Sequence, residues 1–219
     1  DEARAVLTGV LIDGSENGIR FVSTDTHRLS VYDCDTTAIE NPFTAIVPGR
    51  VMNELARLLP ESGDGVGLVI TSNQAKFICG KTTLVCRLIE GQYPNYQRVL
   101  PDNVPNRFIV PAAYLLQSVK RVEIVARENS HKTIVNSENG KLVMTAESGA
   151  VGRAREEVEV IREGEDIKMA FNARYLADVL AVIDTEAVVI ETAGEVSPAL
   201  ITPQGQENFK HVLMPMQLD

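Results

Sequence analysis

The stretch VPGRVMNELARLL, Val47 to Leu59, decides the reading of this chain because its pattern occurs three times. A proline leads in, and Val51, Leu55 and Leu58 then recur at helical spacing. VPAAYLLQSVKRV, from Val110, follows the same plan. FNARYLADVLAVI, from Phe171, has Asn172 in the proline's place and then Leu176, Val179 and Leu180. The lead-in residues Pro48, Pro111 and Asn172 lie 63 and 61 positions apart, the spacing of an internal repeat.

Between the predicted helices the sequence alternates as strands do, punctuated by turn signals: SENG at 15–18, TSNQ at 71–74 and SENG again at 137–140. The two SENG tetrapeptides are 122 residues apart, which is two repeats. Two repeats therefore make a domain. The expected fold is α+β: units of one helix plus antiparallel strands, with the helices on one face of the sheets, in two tandem domains, 1–103 and 104–219, joined near PDNVPNR at 101–107. Residues 1–46 supply the strands of a unit with no helix ahead of them, so the chain reads as part of a longer protein whose preceding portion holds at least one more helix.

With 219 residues, 44% hydrophobic and 23% charged, the chain has the composition of a soluble protein able to bury its own cores. No apolar run approaches the length of a membrane span. The segment DEARAVLTGV is acidic where a secretory signal is basic, and Cys34, Cys79 and Cys86 are too few for a disulfide scaffold, so a reducing cytoplasm is expected. A net charge of −9 opposes tight nucleic-acid binding by phosphate neutralisation alone, so any role on DNA has to be local or topological.

FVSTDTHRLSVYD, Phe21 to Asp33, sets Asp25, His27 and Arg28 side by side within strand-forming sequence. Superposing the SENG turns places Thr24, Asp25 and Thr26 over Ala146, Glu147 and Ser148, and His27, Arg28 and Leu29 over Gly149, Ala150 and Val151. The second copy does without the histidine and arginine, which weakens the reading of a merely structural turn and leaves the two readings evenly matched. A hydrolytic reading makes His27 the base for Ser23 or Ser30 with Asp25 as orienter, Ser23, Asp25 and His27 sharing one strand face, but no nucleophile elbow or oxyanion-hole glycines accompany them. His27, His131 and His211 have no metal-ligand spacing, and no metal or cofactor is expected. CGKTT at 79–83 lacks the glycine a phosphate loop requires at Ala75 and joins strand to strand, so it reads as a hairpin turn. In HVLMPMQL, 211–218, Val212 and Leu213 suit a core strand, whereas Pro215 interrupts it and leaves Met214, Met216 and Leu218 as an adaptable apolar surface at a sheet edge.

Together, STDTHRLS, GQYPNYQRVLP and HVLMPMQL, in this order, resemble the bacterial DNA polymerase III beta subunit, the sliding clamp, over the whole chain. The resemblance implies tandem DNA-clamp domains, here the middle one without its first helix and the C-terminal one. It implies a non-catalytic processivity factor that, as a head-to-tail homodimer ring, encircles double-stranded DNA. Its partners would be the replicative polymerase, the clamp loader and repair polymerases, held through a peptide groove between the domains. By motif match that groove draws on Leu7, Thr24, Thr26, His27, Arg28, Leu29, Pro94, Arg98 and Val99, and on Val196, Pro198, Val212, Leu213, Met214, Pro215 and Met216. Thr26 stands where the family often has glycine, and Gln217 where arginine is frequent. Arg50, Arg57, Lys120, Arg121 and Arg174 fall on or at the ends of the helices that line the hole in this family, and Ile124 and Val125 on its dimer contact.

Overall fold

The computed structural model of the chain describes residues 3–36, 39–59, 63 and 65–218. Its first unit, residues 1–95, opens with a 3-10 turn, Ala5–Thr8, and continues through β1 (Gly9–Ser15), β2 (Gly18–Thr24), β3 (Arg28–Cys34) and β4 (Phe43–Pro48). These strands form a sheet in the order β4-β1-β2-β3, antiparallel throughout. Then come α1 (Gly49–Leu58), β5 (Gly67–Ile70), β6 (Gln74–Cys79) and β7 (Thr82–Arg87), the last three forming a second antiparallel sheet. Ile12 and Val47 of the first sheet meet Ala75, Phe77 and Cys79 of the second across Leu55 of α1, so one core serves both. The CGKTT stretch is the β6–β7 hairpin, closed by the pair Cys79 and Thr82.

The second unit, residues 96–219, starts with a 3-10 turn at Tyr96–Val99, then β8 (Asn106–Pro111) and α2 (Ala112–Ala126). The division falls between Asn95 and Tyr96, ahead of PDNVPNR. There follow β9 (Lys132–Glu138), β10 (Lys141–Ser148), β11 (Gly152–Glu159), β12 (Ile161–Glu163), β13 (Lys168–Asn172), α3 (Ala173–Leu180), β14 (Ala187–Thr192), β15 (Ala199–Pro203) and β16 (Phe209–Leu213). One sheet runs β11-β10-β9-β13; in the other, the strands of this unit run β12-β8-β14-β15-β16. Helix α2 packs against strands of both sheets and against α3. Leu115, Val119 and Val122 of α2 and Leu176 and Leu180 of α3 share their core with Phe108, Leu142, Met169 and Ile201 of the strands. The fold is thus α+β, with three α-helices among the described residues set against antiparallel sheets.

A strand runs into each helix at the repeated lead-in positions. Pro48 and Pro111 precede α1 and α2 without a side-chain cap, and the first N–H of α2, on Ala112, donates instead to the Glu186 carbonyl at 3.0 Å. Asn172 caps α3 directly, its Oδ1 accepting from the Tyr175 N–H at 3.2 Å, while the Ala173 N–H donates to the His131 carbonyl at 2.8 Å.

The two SENG turns differ by one residue. In the first the last ladder pair is Ser15 with Gly18, enclosing Glu16 and Asn17. In the second it is Glu138 with Lys141, enclosing Asn139 and Gly140, whose φ values of 50° and 73° are those of a tight hairpin turn. Superposing the tetrapeptides therefore sets the following strands one residue out of step, and on a strand one residue exchanges the two faces.

Glu123, near the end of α2, is largely enclosed, 3.2 Å from Arg127 Nη2 and 3.0 Å from His131 Nδ1. Burial alone would raise its carboxyl, but the hydrogen bonds from Arg127 and His131 outweigh this and hold it below the ordinary value. A carboxyl depressed in the folded state stabilises the fold above its unfolded value, about 4.3, and this contribution is lost as pH falls through the lower folded value. Thermal melts from pH 6 to pH 3 are expected to show Glu123→Gln with a shallower acid dependence than the parent; parallel curves would refute this.

Candidate functional site

The segment joining β2 to β3 is a polar turn in which most groups are accounted for locally. Asp25 Oδ1 accepts from the backbone N–H of His27 and of Arg28, both at 3.1 Å, and Asp25 Oδ2 from Arg28 Nε at 3.0 Å. The Thr24 hydroxyl donates to the Arg28 carbonyl at 2.7 Å. β2 ends at Thr24, so Ser23, Asp25 and His27 do not share a strand face as a hydrolytic site would need. Asp25 holds the turn and the Arg28 guanidinium, an assignment the sequence left open between turn and orienter. The hydrolytic reading has no support.

Thr26 adopts φ 75°, the left-handed region that favours glycine, and this is the physical reason a glycine suits the position. Thr26→Gly removes a β-branched side chain from that conformation at some cost in unfolded-chain entropy. It is expected to stabilise the chain by up to about 1 kcal/mol in urea titration; a destabilised variant would contradict this.

The remaining expected peptide-site residues divide into exposed contacts and buried backing. In the first unit Leu7 and Leu29 are core, His27 and Pro94 are exposed, and Thr24 and Arg28 are half-buried. The stretch ahead of Pro94 is pinned by Tyr93, whose hydroxyl donates to the Val22 carbonyl at 3.2 Å. Burial pushes the Tyr93 phenol up to about 12, so it stays a donor at physiological pH. In the second unit Arg98 is exposed and Val99 half-buried on the 3-10 turn. Val196, 86% exposed, and Pro198 lie on the loop before β15. Since Ala199 pairs with Leu213, that loop runs beside the end of β16. Val212 and Leu213 are fully buried, while Met214, Pro215 and Met216 are half-buried beyond the strand. The Met216 N–H donates to the Ala170 carbonyl at 2.8 Å, tying this segment to β13. Sequence reading missed the roles of Tyr93 and of that bridge; Tyr93 lay within a quoted motif, whereas nothing local signals the bridge.

Of the expected DNA-facing cations, Arg50, Lys120 and Arg174 are exposed. Arg57 lies 3.4 Å from Glu54, a pair too exposed to hold it firmly. Arg121 is engaged more closely, with Nε 2.9 Å and Nη2 2.6 Å from the Glu156 carboxylate and Nη2 3.0 Å from the Ser118 hydroxyl. Its charge is thus largely answered within the fold. Adjacent residues on a helix point about 100° apart, and this splits the pair expected at the dimer contact. Ile124 is 61% exposed, but Val125 is core at 9%, so an interface on this face draws on Ile124 and not on Val125.

Among the described residues no cluster of histidine, cysteine and carboxylate side chains could hold a metal, and no helix is long and apolar enough to cross a membrane. Helices set against antiparallel sheets in this arrangement place the fold in the DNA-clamp class. The chain belongs to the DNA polymerase III beta subunit family: the description of that subunit's central domain matches residues 1–95, and that of its C-terminal domain residues 97–217. It is 30% identical over 224 residues to the beta sliding clamp of Synechococcus elongatus, covering 100% of this chain and 60% of that protein. It is 29% identical over 218 residues to the beta sliding clamp of Staphylococcus aureus, covering 99% of this chain and 58% of that one. Among solved structures, the DNA polymerase III beta subunit of Pseudomonas aeruginosa superposes with a TM-score of 0.94 at 31% identity, over 99% of this chain and 60% of that one. The beta subunit from Thermotoga maritima superposes at 0.91 with 26% identity, over 100% and 60% of the two chains. The chain thus spans about three-fifths of the length of the relatives it matches.

Proposed function

We propose that this chain forms the central and C-terminal portion of a sliding clamp, a non-catalytic processivity factor that encircles double-stranded DNA as a homodimer. It would tether the replicative polymerase, the clamp loader and repair polymerases in turn, in the cytoplasm, by binding short peptide segments. The carrying observation is the segment Met214–Met216, half-buried yet fixed by the Met216–Ala170 hydrogen bond. A preformed apolar surface of flexible methionines accepts varied partners without the cost of first ordering itself. In the second unit Pro198, on the neighbouring loop, and exposed Arg98 are further candidate peptide contacts; in the first unit the candidates are Thr24, Thr26, His27, Arg28 and Pro94. The net charge of −9 suits this reading, since a ring retains DNA by topology and needs only local attraction from Arg50, Lys120 and Arg174.

The test uses the full-length protein loaded on nicked circular DNA. Retention in moderate salt, followed by release when the circle is cut, is expected; equal retention on linear and circular DNA would sink the encircling role. Binding of a labelled clamp-binding peptide to the 219-residue chain, followed by anisotropy, tests the docking role separately.

A further inference from the structure

We propose that a cleft at one corner of the second unit, where the chain passes from β11 to β12, docks an extended basic segment of a partner protein. The proposal rests on that unit alone and is independent of the clamp reading. The last rung of the β10–β11 ladder is the Val160 N–H donating to the Gly140 carbonyl at 3.0 Å, after which Ile161 pairs with Ile109 of β8 in the other sheet. The change of sheet opens a cleft of about 560 Å³, in the range of ligand pockets. The apolar part of its lining is made by Ile109, Pro111, Val160, Ile161 and Ala187.

Three observations select the occupant. First, β12 ends its sheet, so an extended chain can lie along it as a further strand. Second, Ile161 on that edge strand is 66% exposed, an apolar anchor with nothing in the described fold covering it. Third, the charges fit a basic segment: the lining carries the carboxylates of Glu159 and Glu186, while its lysine, Lys141, stands 2.8 Å from Glu157 and Arg162 of β12 itself is paired with Asp166, so both cations are answered within the fold. A segment alternating basic and apolar residues, lying along β12, would set its apolar side chains against Ile161 at the mouth of the cleft and its cations towards the carboxylates of Glu159 and Glu186.

The edge is held ready for such a segment. Gly164 has φ 90°, and a Cβ there would come within 2.6 Å of the Pro105 carbonyl, so the chain after β12 passes tightly over β8. Buried Asn106 accepts from the Glu165 N–H and buried Ser137 from the Ile167 N–H, each at 2.8 Å. β12 is fixed from behind, and little ordering cost remains for a docking strand.

The experiment titrates the 219-residue chain with fluorescein-labelled peptides of sequence KVKVKV and EVEVEV. KVKVKV is expected to bind at least about tenfold more tightly, with salt weakening it. Ile161→Asp and Glu186→Lys should each reduce its affinity about tenfold with the melting temperature unchanged. Glu54→Lys, on α1 of the other unit, should alter it less than about twofold, separating the cleft from general attraction to an acidic protein. Absence of binding, equal binding of the two peptides, or full affinity in Ile161→Asp would overturn the proposal. So would a concentration-dependent dimer of the free chain abolished by Ile161→Asp, which would make a second copy the occupant.

Discussion

Phe108→Ala is expected to remove about a third or more of the stability of a typical domain from the second unit. Phe108 lies fully buried on β8, paired with Ile190 of β14 on one side and Arg162 of β12 on the other, within the core shared by α2, α3 and both sheets. Removing a buried phenylalanine from a tightly packed interior costs about 3–5 kcal/mol, because the transfer free energy is lost and the cavity closes only in part. A typical domain has about 5–15 kcal/mol in all. Amide exchange on β13 and β14 should accelerate by the corresponding factor. Val69→Ala, on the exposed side of β5, is the matched control and should change stability by less than about 0.5 kcal/mol. Protection in Phe108→Ala equal to that of the parent would mean that the core does not depend on this ring.

Deleting residues 214–219 is expected to abolish most peptide binding while the second unit stays folded. The deletion leaves Val212 and Leu213 paired with Leu200 and Ala199, so the core strand survives. It removes Met214, Pro215 and Met216 and the Met216–Ala170 hydrogen bond. A few apolar anchors usually dominate such a site, so the affinity should fall at least about a hundredfold. Circular dichroism and anisotropy on the same sample separate the two effects. A folded truncate with unchanged affinity would remove this segment from the proposed docking surface.

Arg121 bears on any attempt to map DNA contacts by charge reversal. Since its guanidinium is bound to Glu156 and Ser118, its loss would act through the packing of α2 on β11 as well as through charge. Lys120, on the same helix but exposed, is the cleaner probe.

The sequence by itself determined the three helices behind Pro48, Pro111 and Asn172 and the α+β class. Those features are written in short-range periodicity and in lead-in residues whose backbone preferences act within one turn of helix. The sequence also separated Val212 and Leu213 as core from Met214 onward, because proline has no N–H for the ladder and is confined to strand ends and edges. Only the tertiary structure decided what long-range pairing controls: the one-residue difference between the SENG hairpins, the Met216–Ala170 bridge, the Tyr93–Val22 bond and the engagement of Arg121 with Glu156. It also resolved Asp25, which competes locally between an orienting role and a turn. Two backbone N–H groups and a guanidinium, all within three residues, converge on its carboxylate and fix it in the turn.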